Sequence, residues 1–241
     1  MSPIIPPSIF NNNPRQQYRW HTYPSTASLE HAAAQVIFMA AQEAILRHAA
    51  FHIVLAGGTT PRRVYELLRT MNANWKAWHI YFGDERCLPA AHAERNSRMA
   101  SLAWLAHVNI PTSQIHNIPA EQGAEIAAQA YAKILNRVDV FDLVLLGLGE
   151  DGHTASLFPN HEWGTATDFP ATLAVHNAPK PPPERVSLSA RRLSQTRQLI
   201  FLVSGTSKKQ AVSDWKNGKE IPAAAITPEC GVDVYLEASL L

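Results

Sequence analysis

Short apolar runs alternate with segments of helical period along almost the whole chain, and this alternation leaves few folds open. Phe51 to Ala56, His79 to Phe82, Phe141 to Leu146 and Leu199 to Val203 are short, mostly apolar stretches, too short for buried helices. They read as strands covered on both faces. Thr172 to Val175, Arg185 to Leu188 and Val232 to Leu236 are further candidate strands. Helices are expected from Leu29 behind Ser28 as N-cap, over Val64 to Met71, over Asn96 to Leu105, from Glu121 to Val138 and from Lys208 to Trp215. Together these predict a mostly parallel sheet with helices on both faces, in one domain over residues 18–241. Residues 1–17, with four prolines and three consecutive asparagines, are expected to form a flexible tail.

Sheets of this kind bind ligands beyond the carboxyl ends of their strands, so the loops after Ala56, Phe82, Leu146 and Val203 become the candidate site. In the first, Gly57, Gly58 and Thr59 precede Thr60 as cap and Pro61 at the first helical position, an arrangement whose free amides and helix dipole suit a phosphate. An ordinary tight turn accounts for it equally well. In the second, Asp84 and Glu85 are candidates to move protons and Arg86 to grip a phosphate or an oxyanion, although a solvated charge cluster has the same composition. The fourth, Ser204 to Lys209, sets cations in the first turn of a helix, where the dipole disfavours them unless an anion binds. A surface lysine pair is the commoner reason for such a sequence.

The third loop, Gly147 to Thr154, spells Gly-x-Gly-x-x-Gly, but Pro159 leaves no room for a long helix and Asp168 precedes the next strand, so a dinucleotide is disfavoured. The glycines are better used to present Asp151 and His153. An imidazole with an ordinary pKa of about 6.5 suits a general base, and a neighbouring carboxylate would orient it. Taken alone, Asp151 capping a short helix beside an ordinary polar His153 explains the same residues.

A net charge of +1 without basic blocks argues against nucleic acid and membrane surfaces as partners. The N-terminal segment lacks the pattern of a signal peptide, no stretch reads as a membrane span, and two distant cysteines make no metal or redox pair, so a cytoplasmic protein is expected. Eleven histidines contain no His-Glu-x-x-His, and there is no Gly-x-Ser-x-Gly, so neither a metal nor a serine nucleophile of that type is expected.

Leu55 to Pro61, Gly83 to Arg86 with Asn96, Gly149 to Pro159, Lys180 to Arg185, and Gly205 with Lys208 occur in an order that resembles the 6-phosphogluconolactonase family. The resemblance runs from about Ser28 to the C-terminus. It implies a three-layer Rossmann-like α/β fold, cofactor-free hydrolysis of a phosphorylated sugar lactone, and a monomer or weak homo-oligomer. It also implies His153, Asp151 and Arg86 as catalytic residues, with Gly57, Gly58, Thr59, Asp84, Arg185 and Lys208 holding substrate and phosphate. The related glucosamine-6-phosphate isomerases carry a glutamate five residues after the histidine, where this chain has Phe158. Sugar-phosphate sensors of the same fold carry a DNA-binding domain, of which no helix-turn-helix or basic stripe gives a sign here. Arg95 stands where the family pattern leads one to expect serine.

Overall fold

The computed structural model describes residues 16–241. Most of the expected tail lies outside the described residues, but Gln16 is anchored: its amide donates to the Ala223 carbonyl at 2.9 Å and accepts from the Trp215 indole at 2.7 Å.

Six strands form one fully parallel sheet. They are β1 (Tyr18–Tyr23), β2 (Phe51–Leu55), β3 (Trp78–Phe82), β5 (Leu143–Gly147), β8 (Leu199–Val203) and β9 (Val232–Glu237), in the spatial order β1-β9-β8-β5-β2-β3. A second, antiparallel sheet of three strands has the order β4 (Asp84–Arg86), β7 (Arg185–Leu188), β6 (Thr172–Val175). Two of the strands assigned to the main sheet by composition therefore belong to a smaller one.

The helices are α1 (Thr26–His48), α2 (Thr59–Leu68), α3 (Asn96–Ala103), α4 (Ala124–Leu135), α5 (Ala190–Ser194) and α6 (Lys209–Lys216). The helix α1 starts three residues before the expected point, because Ser25 is the cap and Ser28 completes a reciprocal capping box with it. Its buried stripe of Leu29, Ala33, Ile37, Ala41 and Ala44 has the helical spacing expected for a face turned to the core. α1 packs beside α2 and against β1, β2 and β9, while α4 covers the small sheet. The core contains the buried side chains of Phe51, Trp78, Phe82, Trp104, Phe141, Phe201 and Trp215. No helix of the described residues is long and apolar enough to cross a membrane.

The strand order reverses between β5 and β2: the chain steps outward from β2 to β3, then returns to β5 and proceeds through β8 to β9. This switch point parts the loops beyond the two central strands and opens a crevice there.

At the opposite ends of β2 and β3 the histidines gather. His52 and His79 face one another across β2 and β3 with ring centroids 4.7 Å apart, and His79 Nδ1 lies 3.5 Å from His116 Nε2. Burial pushes His52 and His116 down to about 4 and also lowers His79. The unfolded chain, with imidazoles near 6.5, therefore binds more protons than the folded one between about pH 6.5 and about pH 4. The stabilising effect of neutral rings is complete above that window and is lost as pH falls through it. The urea midpoint is expected to drop between about pH 7.5 and about pH 5, and to drop less in His52→Asn and His116→Asn. An equal drop in the variants would place the acid sensitivity elsewhere.

Candidate active site

The four loops singled out by sequence follow β2, β3, β5 and β8, which are neighbours in the sheet and point the same way. They converge on an open cleft of about 200 Å³. Gly57, Gly58, Asp84, Arg86, His153, Arg185 and Lys208 all line it.

In the first loop the helix starts earlier than expected. Gly58 is the N-cap of α2, and Pro61 is the third helical residue. Thr60 does not cap: its hydroxyl meets Ser204 Oγ at 2.6 Å and fastens the first loop to the fourth. Thr59 is exposed and lines a depression beside the cleft, with Arg62 and Arg95, and is not among the residues lining the main cleft. A Cβ on Gly57 would come within 2.1 Å of Asn96 Oδ1, so only glycine lets that amide lie against the loop.

The second segment is not a loop but strand β4. Its acids are buried and hydrogen-bonded, not a solvated cluster. Glu85 is fully buried and accepts from the amides of Asn96 at 2.8 Å and Ser97 at 2.9 Å, and from Ser97 Oγ at 2.7 Å. It thus supplies from outside the cap that α3 lacks at its own N-terminus. Arg95, the departure from the family pattern, points its Nε at Glu85 from 3.3 Å and donates to Glu121 at 2.7 Å. Asp84 is held by Asn96 Nδ2 at 2.9 Å and by Ser156 Oγ at 2.6 Å.

Antiparallel pairing of β4 with β7 places Arg86 directly opposite Arg185. Like charges in such a position repel. Arg185 is buried, and its guanidinium is fixed by the carbonyls of Lys180 and Pro181, each at 3.0 Å, and of Pro182 at 3.1 Å. Burial lowers its pKa, and the Arg86 charge adds to that effect. Arg86 donates to the Glu94 carbonyl, yet its Nε is buried without a partner.

After β5 no α-helix appears until α5, beyond β7, so the glycine triad lacks the helix that a dinucleotide site requires. His153 Nδ1 lies 2.5 Å from Asp151 Oδ1, which also accepts the His153 amide at 3.2 Å. An ionised carboxylate only accepts, so Nδ1 carries the proton and Nε2 keeps its lone pair. Burial pushes the His153 pKa below its ordinary value, and Asp151 offsets only part of this. Burial would raise Asp151, but the His153 bond and charge outweigh it and hold that carboxyl low. Asp151 is not among the residues lining the cleft. Gly149 is needed beneath the ring, because a Cβ there would lie 1.9 Å from Nδ1.

Lys208 ends a short 3-10 turn, Thr206–Lys208, just before α6. Burial lowers its pKa, Glu150 partly restores it, and Lys180 lowers it further. Lys180, Asn96 and Ser156 were not singled out as site residues. Asn96 and Ser156 act through Asp84, a long-range contact that no local pattern encodes. Among the described residues no cluster of three or more histidine, cysteine or acidic side chains is disposed to hold a metal ion.

The geometry is a carboxylate-paired imidazole on one loop and cations on three other segments, around one crevice. Residues 24–235 match the family model described as glucosamine-6-phosphate isomerases/6-phosphogluconolactonase. A 6-phosphogluconolactonase of Synechocystis sp. is 37% identical over 190 residues, covering 73% of this chain and 78% of that protein. One from Mycobacterium leprae is 36% identical over 223 residues, covering 87% and 88%. The solved 6-phosphogluconolactonase of Trypanosoma brucei superposes with a TM-score of 0.85 at 27% identity, over 93% of this chain and 98% of that one. The chain belongs to the glucosamine-6-phosphate isomerase/6-phosphogluconolactonase family.

Proposed function

We propose that the protein hydrolyses 6-phospho-D-glucono-1,5-lactone to 6-phospho-D-gluconate, a step of the oxidative pentose phosphate pathway, with His153 as general base and no cofactor. The observation that carries this reading is the Asp151–His153 pair, 2.5 Å apart, whose imidazole lines the same cleft as Arg86, Arg185 and Lys208. His153 Nε2 takes a proton from water while the hydroxyl oxygen bonds to C1 of the lactone. The carbonyl electron pair moves to oxygen, and Arg86 faces the charge that develops. Collapse of the tetrahedral adduct breaks the bond from C1 to the ring oxygen, which receives the proton from the imidazolium. Asp151 keeps Nδ1 protonated and steadies the cation between these transfers. The phosphoryl group, held by the Gly57 and Gly58 amides with Arg185 and Lys208, fixes the sugar so that C1 meets the base.

The family description also covers isomerases, which must move protons on carbon. Here Glu85 is occupied by α3, Asp84 by Asn96 and Ser156, and the ring beside His153 is that of Phe158. These contacts favour hydrolysis. In a pH-stat assay corrected for spontaneous hydrolysis, the protein is expected to release acid from the lactone. With glucosamine 6-phosphate it is expected to release no ammonia. Ammonia release without lactone hydrolysis would reverse the assignment.

A further inference from the structure

Phe158 does not line the cleft, yet it touches both halves of the chemistry. Its ring is fully buried, with its centroid 4.8 Å from that of His153 and the planes tilted by 38°. The Arg185 guanidinium carbon sits over the same ring, 5.5 Å from its centroid. The backbone beneath it is pinned, because the Phe158 carbonyl accepts from Trp163 Nε1 at 2.6 Å and from the His161 amide at 3.2 Å. Just upstream, Thr154 Oγ1 holds the Gly147 carbonyl at 2.9 Å and Ser156 holds Asp84. The ring is therefore a fixed wall.

One hydrogen bond from Nδ1 leaves an imidazole free to swing about that bond, so His153 needs a second restraint to aim Nε2. Gly149 supplies a close backbone surface and Phe158 an aromatic one. We infer that Phe158 is a positioning residue for the base: its ring fixes the His153 imidazole in its working direction and keeps water from the side turned away from the cleft. This rests on reading His153 as the base. Exclusion of water also fits the finding that burial is the largest influence on His153. Besides Asp151 in its own loop, the charged groups acting on the imidazole are Lys180 from the β6–β7 connection and Asp84 from β4. His161 packs against the far ring at 6.0 Å, and Arg185 lies over it. A substitution at position 158 changes none of these charges, but it does remove the ring face on which Arg185 and His161 pack.

Two variants separate the roles. Phe158→Leu keeps an apolar filler without an aromatic face, and Phe158→Ala admits water. Both are expected to lose roughly ten- to a hundred-fold in kcat while KM stays within about two-fold. In Phe158→Ala the acidic limb of kcat/KM should move up toward about 6.5, with a smaller movement in Phe158→Leu. Circular dichroism of each variant reports folding, and Phe158→Leu carries the test if the alanine variant does not fold. An acidic limb that stays in place with kcat nearly unchanged overturns the inference, as does a rise in KM alone. His153→Ala, measured alongside, distinguishes the failures. If it retains turnover, the base assignment itself is wrong; if it is inactive while both Phe158 variants behave like the parent, only the positioning role falls.

Discussion

His153→Ala is expected to lower kcat for lactone hydrolysis by roughly 10²- to 10⁴-fold, the usual contribution of a general base, with KM changed by less than about three-fold. The asymmetry follows from where the ring sits. The imidazole lines the cleft with its Nδ1 committed to Asp151, so it has one nitrogen left to act on water. On the proposed reading it matters most as a proton is transferred, whereas the cations assigned to the phosphate lie on other segments. The pH profile adds a second reading. Because burial holds His153 below its ordinary value, the acidic limb of kcat/KM should have its midpoint under about 6.5 in the parent protein. Asp151 raises that pKa, so Asp151→Asn should carry the limb further toward acid. An asparagine can also offer Nδ1 an N–H instead of an acceptor, which would move the ring proton to Nε2 and cut kcat at every pH. A His153→Ala variant with unaltered turnover would remove the imidazole from the reaction. A limb that moves alkaline in Asp151→Asn would contradict the balance of burial and charge described for the pair.

Much of this geometry is legible in the chain because it is local. The runs at Phe51, His79, Phe141 and Leu199 are mostly apolar, and all four form adjacent parallel strands with the candidate loops at one edge. Asp151 and His153, two residues apart, need only their own turn to meet. What escaped reading depends on distant partners. The strand β1 is an edge strand with exposed and half-buried residues and no apolar run, so its pairing with β9 leaves little trace in composition. Asp84, Glu85 and Arg86 look like a solvated cluster until β7 pairs beside them and α3 lays its amides on Glu85. Thr60 looks like a cap because the sequence does not show that Ser204, on another loop, claims its hydroxyl. Arg86 and Arg185 are nearly a hundred positions apart, and only the antiparallel register reveals that two guanidiniums face each other.

Lys208→Met is expected to raise KM by roughly ten- to a hundred-fold, the value of a charge-assisted bond to phosphate, with kcat within about three-fold. Methionine keeps the buried stem and removes only the charge. The ammonium is held in an unfavourable place in the free protein: burial depresses it, and Lys180 repels it. Nearby, Arg86 faces Arg185 across two strands, and the Arg86 Nε has no partner. On the proposed reading the phosphate dianion offsets the repulsion at Lys208 and Arg185, while Arg86 is left to face the oxyanion at C1, so cations that repel one another without ligand gain when the substrate binds. Two opposite effects of the same substitution follow. Without ligand, Lys208→Met should melt at the same temperature as the parent or higher, since a repelled charge has been removed. With saturating inorganic phosphate the parent should gain more in Tm than the variant, and the difference should shrink as ionic strength rises. A substitution that lowered kcat while leaving KM and the phosphate-induced Tm gain intact would take Lys208 out of the anion clamp. The fourth loop would then be a support for α6 and no longer part of the site.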